Sequence, residues 1–263
     1  MRLALGIEYD GSIFHGWQTQ PSGLTVQDQL ETALKVFSGK SIPTVCAGRT
    51  DSGVHALGQV VHIDTDIQRE NISWVRGTNS YLDPYIRVLW AQPVSDDFHA
   101  RYSALSRTYR YVLLNDVVDA GLMKYRAGWF HLPLDETRMR EAASCLLGEH
   151  DFSAFRAAEC QAKTPIRRIK EVTICRAGKN VVFTFVANAF LHHMVRNMIG
   201  SLIYVGSGRQ PVSWLRTVLE SRDRKLAAPT IAPDGLYLAR VEYAPDYNIP
   251  SPPSRTPLFD LQR

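Results

Sequence analysis

The sequence predicts an α+β protein built from two subdomains of similar size with a cleft between them. Stretches in which apolar and polar residues alternate, the period of a strand, are interleaved with stretches whose apolar residues recur every three or four positions, the period of a helix. Over residues 1–104 these patterns follow the order β-α-β-α-β. The second half also alternates strands and helices, with a different sequence. At 263 residues the chain is long enough for one large domain or two smaller ones.

The first half, residues 1–104, begins with an alternating strand that ends at Asp10-Gly11. Thr25 and Asp28 have the spacing of a capping box, which predicts the start of a helix that ends near Gly39. The remaining elements expected in this half are a polar turn at 46–56, a strand at 59–64, a helix at 73–82 and a strand at 86–90.

The second half, residues 105–245, begins with an expected strand at 109–114 and a long loop at 115–132, which we expect to be functional. The elements predicted after it are a helix at 136–147, a hairpin with strands at 171–175 and 181–187, helices at 190–205 and 213–221, and a final strand at 236–243. Residues 246–263 form a proline-rich tail, either disordered or an extended strap.

The composition is that of an ordinary globular protein, with 45% hydrophobic and 21% charged residues. No apolar run reaches the length of about 18 residues that indicates a transmembrane helix. Glu8 interrupts the apolar N-terminal stretch, so we interpret that stretch as a strand and not as a targeting segment. We therefore expect the protein in the cytoplasm.

The cysteines and histidines do not indicate a metal site. The four cysteines form no C-x-x-C pair, and we expect them to be reduced and mostly buried. His192 and His193 are adjacent, so on a helix they would point to different sides, and no third ligand shares their spacing. A net charge of +4 with a pI near 8.9 permits a polyanionic partner without demanding one.

The polar turn Cys46-Ala47-Gly48-Arg49-Thr50-Asp51-Ser52-Gly53-Val54-His55-Ala56 is the first candidate site. Gly48 and Gly53 bracket Asp51, so the backbone can turn sharply and approach another molecule closely. An arginine, a hydroxyl and a carboxylate lie between them. Two interpretations stay open on spacing alone: a functional loop, or a surface turn with an Asx hydrogen bond from Asp51 and a solvated Arg49.

The helix expected at 190–205 is apolar around most of its circumference, with one polar strip that contains Arg196. A buried guanidinium without a counter-charge is costly, so Arg196 needs an anion. That anion is either Asp51 or an ordinary partner such as a glutamate or a helix C-terminus.

Gly48-Arg49-Thr50-Asp51-Ser52-Gly53-Val54-His55-Ala56 resembles the active-site segment of the tRNA pseudouridine synthases of the A type. The resemblance covers roughly residues 1–245, in order. Its further segments are Tyr9-Asp10-Gly11-Ser12, Gly16-Trp17-Gln18, Asp97-Phe98-His99-Ala100-Arg101, Arg107-Thr108-Tyr109-Arg110-Tyr111, Asp151-Phe152-Ser153-Ala154-Phe155-Arg156, Asn188-Ala189-Phe190-Leu191-His192-His193-Met194-Val195-Arg196-Asn197 and Gly235-Leu236-Tyr237-Leu238.

The resemblance implies a fold and an activity. The fold is α+β, with two ferredoxin-like subdomains sharing a continuous mixed sheet around a central active-site cleft. The activity is the isomerisation of uridine to pseudouridine at positions 38, 39 and 40 of the tRNA anticodon stem-loop. The resemblance also implies that no cofactor or metal is needed and that the protein is a homodimer with tRNA as its partner.

The resemblance also assigns site residues. Asp51 is the catalytic nucleophile, Arg196 its ionic partner, and Tyr109 the residue that stacks on the target base. Leu236 lines the uracil pocket, and Arg49 binds substrate. Ordinary structural interpretations of Tyr109 and Leu236, as a core tyrosine and a strand leucine, stay open. So does the chemistry at Asp51, which could add to C6, attack C1′ or assist a glycal route.

Arginines on the rim of the cleft are candidates for contact with RNA phosphates. Besides Arg49 they are Arg101, Arg107, Arg110, Arg126, Arg156, Arg167 and Arg168.

Two features depart from the family pattern. The family more often has alanine at the position of Ser52, and the proline of its Asn-x-x-Leu-Pro segment has moved by one residue to Pro84.

Two rival functions remain. One is a metal-assisted phosphoryl hydrolase using Asp51, Asp64 and Asp66. The other is a non-catalytic RNA-binding protein in which Asp51 only forms a turn.

Overall fold

The computed structural model describes residues 1–119 and 121–251. The strands of these residues are β1 (Arg2–Tyr9), β2 (Val45–Cys46), β3 (His55–Asp64), β4 (Ile86–Val94), β5 (Ser106–Asn115), β6 (Gly128–Phe130), β7 (Gly148–Asp151), β8 (Ile166–Ala177), β9 (Asn180–Ala187) and β10 (Leu236–Glu242). The α-helices are α1 (Val26–Ser38), α2 (Asn71–Asn79), α3 (Glu136–Ala143), α4 (Met194–Gly206) and α5 (Trp214–Ser221). A large mixed sheet with few helices confirms the predicted α+β class.

Backbone contacts divide the described chain into two compact units. Unit 1 contains Met1–Arg107 and the described residues from Tyr237 onwards, and unit 2 contains Thr108–Leu236. The subdomains expected from the order of elements, 1–104 and 105–245 with a tail at 246–263, stay a prediction. Residues 252–263 of that tail lie outside the described residues. Across the described parts, no helix is both long enough and apolar enough to cross a membrane.

The strands of unit 1 are arranged around β1. This strand pairs antiparallel with β3 on one side and with β4 on the other. The short β2 pairs antiparallel with β3, and β10 pairs parallel with β3, with Tyr237 opposite His55. The alternating apolar residues predicted for β1 are buried, with Leu3, Leu5 and Ile7 each at most 1% exposed.

The two helices of unit 1 follow from local sequence signals. Thr25 is the N-cap of α1, and its hydroxyl accepts a hydrogen bond from the Asp28 amide at 3.2 Å, as the capping-box spacing predicts. Gly39 ends α1 in the left-handed conformation at φ 78°. The second helix, α2, was expected at 73–82 but runs over Asn71–Asn79.

The strands of unit 2 form the order β5-β9-β8-β7, with β6 parallel to β5. The expected hairpin is present as β8 and β9, paired antiparallel from Ile169 opposite Ala187 to Ala177 opposite Asn180. The hairpin is longer than predicted, because β8 already pairs with β9 from Ile169 onwards. The strand β8 itself begins at Ile166, where it pairs with β7. The segment 115–132, expected to be a loop, contains β6.

The helices of unit 2 differ from the prediction mainly at their ends. The first, α3, gives way to a 3₁₀ turn at Ser144–Leu146 before Gly148. The prediction that a helix begins at residue 190 is wrong, because α4 begins at Met194. His193 precedes it with a left-handed φ of 60°, so His192 does not lie on the helix.

Candidate active site

Asp51 lies in a tight turn between β2 and β3. The Val54 amide donates to the Asp51 carbonyl at 3.1 Å and closes the turn, and Gly53 adopts a left-handed φ of 78°. The side-chain amide of Gln59, from β3, donates to the Gly48 carbonyl at 2.6 Å. The sequence signal of two glycines around a carboxylate therefore corresponds to a folded turn, with Asp51 half-buried and Arg49 exposed.

A second segment, residues 14–17, holds this turn from the side. The Trp17 amide donates to the Thr50 carbonyl at 3.0 Å, and the Gly53 amide donates to the Phe14 carbonyl at 3.3 Å. The rings of Phe14 and Trp17 are buried, at 5% and 1% exposed, so they belong to the core. Backbone bonds on both sides of Asp51 thus fix the turn to this segment.

The residues around Gly16 leave no room for a side chain. Gly16 has a φ of 86°, and a Cβ built there would lie 2.7 Å from the Thr50 carbonyl oxygen. The hydroxyl of Tyr9, at the end of β1, lies 2.8 Å from the hydroxyl of Thr50. Glycine at this position therefore lets the backbone reach the turn closely.

Asp10 and His55 support the turn at its other end. The Gly11 amide donates to Nδ1 of His55 at 3.0 Å, and the same nitrogen lies 3.2 Å from a carboxylate oxygen of Asp10. These two contacts cannot form as hydrogen bonds at the same time. When Nδ1 carries no hydrogen, it accepts from the Gly11 amide; when Nδ1 carries a hydrogen, it donates to the Asp10 carboxylate. The His55 ring stacks on that of Tyr237, with the centroids 4.6 Å apart.

The charge of Asp10 is stabilised in this place. Burial raises the pKa of its carboxyl, but the bonds from Ser12 and, when Nδ1 carries a hydrogen, the bond from His55 outweigh burial and hold the pKa well below its usual range. Sequence analysis did not single out either Asp10 or His55. Both lie in segments that carry the family resemblance, and this was the signal that could have identified them.

Arg107, predicted to contact phosphate, is 9% exposed, and its guanidinium donates hydrogen bonds to backbone carbonyls of unit 1. Its Nη2 donates to the carbonyls of Ala47 at 2.9 Å and Arg101 at 2.6 Å, and its Nη1 donates to that of Ala104 at 3.2 Å. The guanidinium therefore ties the start of the Asp51 turn to residues 101–104. We infer a structural role for it in this place.

In unit 2, Tyr109 lies on β5 and is 8% exposed. Its ring meets that of Phe190 edge to face, with the centroids 5.1 Å apart. Arg110 follows it on the strand and is half-buried. Leu236, the first residue of β10, is 5% exposed.

Arg196 lies on the first turn of α4 and is half-buried. Its Nε donates to the Ile231 carbonyl at 2.8 Å. The segment that carries Ile231 is held next to α4 by Asn197, whose side-chain oxygen accepts from the Thr230 hydroxyl at 2.6 Å and from Nη2 of Arg224 at 3.1 Å. Arg224 also donates to the carbonyls of residues 227 and 228.

Asn197 ends one of the segments that carry the family resemblance, but sequence analysis did not identify Arg224 as its partner. A charged residue next to Lys225 in a loop is typical of a solvated surface, so no local pattern indicated this network.

The remaining predicted arginines fall into two groups. Arg156 and Arg167 donate to nearby backbone carbonyls: Nη2 of Arg156 to that of Cys160 at 2.5 Å, and Nη1 of Arg167 to that of Ile166 at 2.6 Å. The arginines of the other group are exposed, and they are Arg49, Arg101, Arg126 and Arg168.

The acids of the rival hydrolase hypothesis have other partners. Asp64 accepts two hydrogen bonds from Arg2, each 2.9 Å long, and Asp66 pairs with Lys40 at 2.6 Å. Both carboxylates are exposed and engaged in surface ion pairs. This arrangement does not favour a metal centre built from Asp51, Asp64 and Asp66.

Comparison with known proteins gives a consistent result. The family model described as tRNA pseudouridine synthase matches residues 6–103 and 142–244. Three relatives, each called tRNA pseudouridine synthase A, are similar over almost the whole chain. The protein from Paraburkholderia xenovorans (strain LB400) is 55% identical over 95% of this chain and 93% of its own. That from Paraburkholderia phytofirmans (strain DSM 17436 / LMG 22146 / PsJN) is 57% identical with the same coverage.

The third relative, from Bordetella petrii (strain ATCC BAA-461 / DSM 12804 / CCUG 43448), is 59% identical over 94% of this chain and 93% of its own. A solved structure of a Cbf5-Nop10-Gar1 complex matches with a TM-score of 0.37 and 12% identity, covering 85% of this chain and 60% of that chain. A match this weak carries no argument. The family model and the relatives confirm the resemblance: the chain belongs to the tRNA pseudouridine synthase family of enzymes.

Proposed function

We propose that this enzyme converts uridine to pseudouridine at positions 38, 39 and 40 in the anticodon stem-loop of tRNA, with Asp51 as the nucleophile. The observation that carries the assignment of Asp51 is its position in the turn between Gly48 and Gly53. The Trp17 amide donates to the Thr50 carbonyl of this turn, and the Gly53 amide donates to the Phe14 carbonyl. Family membership and the names of the relatives support the reaction and the tRNA substrate.

The reaction is a rearrangement within one nucleotide. The N1–C1′ bond of uridine breaks, the base turns, a C5–C1′ bond forms, and the proton lost from C5 is replaced by one on N1. Atoms and electrons therefore balance without an added reactant, and the reaction needs no cofactor. A carboxylate serves as nucleophile only while ionised, so Asp51 must keep its charge near the substrate.

We propose Arg196 as the residue that keeps Asp51 ionised. The guanidinium carries five N–H donors in a planar fork that suits a carboxylate, and the bond from its Nε to the Ile231 carbonyl orients it. If the pairing exists, Arg196→Met should move the acid limb of the pH–rate profile upward, and Arg196→Lys should move it less, because lysine keeps the charge. An unchanged acid limb in Arg196→Met would contradict the pairing.

Tyr109, Leu236 and Arg49 complete the proposed site. An extruded base needs an aromatic surface to stack on, and Tyr109 is held by Phe190 in a defined orientation. Leu236 contributes an apolar wall, and the exposed Arg49 a positive charge next to Asp51.

We propose that RNA phosphates are contacted by Arg101, Arg110, Arg126 and Arg168. The other predicted arginines, Arg107, Arg156 and Arg167, are more strongly engaged with backbone carbonyls. We further propose that the enzyme acts as a homodimer in the cytoplasm.

The direct test is to incubate the purified protein with an unmodified tRNA transcript in EDTA and to map pseudouridine by carbodiimide treatment and reverse transcription. We expect stops that report modification at positions 38, 39 and 40. Activity that EDTA abolishes and Mg²⁺ restores would favour a metal-dependent enzyme. Stops confined to another region of the tRNA would contradict the proposed position.

A further inference from the structure

The segment from Phe98 to Leu105 presents a tyrosine ring on the surface of unit 1. Tyr102 is 76% exposed. Its ring lies against that of His99, with the centroids 4.3 Å apart at a tilt of 32°, and the guanidinium carbon of Arg101 lies 5.6 Å from the Tyr102 ring centroid. The exposed ring is thus backed by an imidazole and flanked by a positive charge.

Local hydrogen bonds hold this arrangement. Nδ1 of His99 accepts from the amides of both Arg101 and Tyr102 at 3.2 Å. The His99 amide donates to the Ser103 hydroxyl at 2.9 Å, and the Ser103 amide donates to the His99 carbonyl at 2.9 Å. The backbone that carries Tyr102 is therefore a closed turn with the histidine at its centre.

Buried side chains anchor the same turn to the body of unit 1. The Ala100 amide donates to Nδ1 of His62 at 3.1 Å, and the Tyr243 hydroxyl donates to the Ala100 carbonyl at 2.6 Å. Both anchors are buried, at 4% and 7% exposed. Tyr102 is therefore held in place without contributing to the core, as expected of a contact residue organised in advance.

Arg107 links this turn to the Asp51 turn. Its Nη2 donates both to the Arg101 carbonyl and to the Ala47 carbonyl, four residues before Asp51. Two exposed arginines are close to these carbonyls along the chain: Arg101 carries one of them, and Arg49 follows Ala47 by two residues. The exposed ring and the two cations therefore belong to two turns that Arg107 joins.

We propose that Tyr102 is a stacking platform for an unpaired nucleobase of the tRNA, outside the pocket of the target uridine, with Arg101 contacting the adjoining phosphate. The proposal rests on the proposed function and adds a binding contact to it. Unpaired bases stack on exposed aromatic rings, and nearby arginines neutralise the backbone.

A subunit interface is the weaker interpretation of this surface. A stable interface buries about 800 Å² per partner, and a single ring flanked by Arg101 is small and cationic by comparison. The nearby acid Asp97 accepts a hydrogen bond from the Tyr247 hydroxyl at 3.0 Å, so that carboxylate is already engaged.

The test measures binding of unmodified full-length tRNA to the intact protein by filter binding at several salt concentrations. Loss of one base stack should weaken binding about five- to tenfold in Tyr102→Ala and in Tyr102→Leu, whereas Tyr102→Phe and Tyr102→Trp should bind like wild type. The slope of log affinity against log salt should stay unchanged in Tyr102→Ala and become shallower by about 0.7 in Arg101→Ala. Tyr81→Ala, at a tyrosine that is 56% exposed, is the matched control and should bind normally.

Affinity of Tyr102→Ala within twofold of wild type would overturn the proposal, as would an equal loss in Tyr81→Ala. A change in oligomeric mass by light scattering with unchanged tRNA affinity would assign the ring to a subunit interface instead. Pseudouridine mapping with the wild-type protein distinguishes a failure of this inference from a failure of the proposed function. If pseudouridine forms but Tyr102→Ala binds normally, this inference alone fails; if none forms, the proposed function fails.

Discussion

At the scale of single residues, His62 shows how burial fixes a charge state. The imidazole is 4% exposed, and its Nδ1 accepts the hydrogen bond from Ala100 that anchors the Tyr102 turn. Burial lowers the pKa of His62 to about 4, and the positive charges of Arg2 and His99 add to the lowering. Because the nitrogen accepts this bond only without a proton, the folded protein keeps His62 neutral at physiological pH.

The shift at His62 links stability to pH. An unfolded chain protonates this histidine near pH 6.5, whereas the folded protein does so only near pH 4. The contribution to stability is therefore complete above about pH 6.5 and is lost as the pH falls towards 4. His62→Asn keeps an acceptor but cannot titrate, so its free energy of unfolding should fall less over this interval, by on the order of 2–3 kcal/mol.

Urea unfolding between pH 4 and 7 measures this difference. His15→Asn, at an exposed histidine, is the matched control. A His62→Asn protein with the wild-type dependence would show that His62 does not titrate as described.

At the scale of elements, the placement of the Asp51 turn depends on a glycine in the segment beside it. Gly16 and Gly39 both have positive φ angles, 86° and 78°, but only Gly16 has a neighbour within 4 Å of a built Cβ. Comparing substitutions at Gly16 and Gly39 therefore distinguishes the cost of the left-handed backbone from the cost of a clash with the Asp51 turn.

We expect Gly16→Ala and Gly39→Ala each to lose about 1–2 kcal/mol of stability from the left-handed backbone. Gly16→Ala should in addition lower the single-turnover rate of pseudouridine formation at least tenfold, because its Cβ displaces Thr50 and with it Asp51. Thermal unfolding and single-turnover assays measure the two effects. Full activity in Gly16→Ala would mean that the position of the turn does not depend on this contact.

The network behind Arg196 gives a second prediction for an element. Arg224→Met removes the donors to Asn197, Thr230 and two carbonyls, and should cost about 2–3 kcal/mol because these partly buried acceptors lose their partner. The segment also carries Ile231, which orients Arg196, so the single-turnover rate should fall as well.

Lys225→Met, at the exposed neighbour of Arg224, should leave both the stability and the single-turnover rate unchanged. A destabilised Arg224→Met with a normal rate would limit the network to a role in folding.

At the scale of the whole molecule, the net charge of +4 is carried by dispersed arginines with different environments. Arg168 is exposed on β8, whereas its neighbour Arg167 donates to two backbone carbonyls. We expect Arg168→Glu to weaken tRNA binding and to make its dependence on salt shallower, while the single-turnover rate at saturating enzyme stays normal. Arg216→Glu, at a residue 62% exposed on α5, is the control. A reduced single-turnover rate in Arg168→Glu would instead place Arg168 near the reacting base.

The sequence was sufficient for the fold class and for most elements, because strand alternation, the Thr25 capping box and Gly39 are local signals. It misplaced the start of α4, since the apolar pattern continues through Phe190 and Leu191 although the left-handed His193 delays the helix to Met194. The Asp51 turn was identified from its glycines and motif. Gly16 and His55 lie in segments that carry the family resemblance. Their supporting contacts, like those of Arg224, join residues that are distant in sequence, and no local pattern indicates such contacts.

The central claim is that Asp51 is the catalytic nucleophile, and single-turnover pseudouridine formation at saturating enzyme tests it most directly. Asp51→Asn keeps the size of the side chain and removes its charge, whereas Ser52→Ala, at the exposed neighbour in the same turn, introduces the residue more usual in the family. We expect Asp51→Asn to bind tRNA but to form no measurable pseudouridine, and Ser52→Ala to react at the wild-type rate. An Asp51→Asn protein that retains a tenth or more of the wild-type rate would contradict the claim.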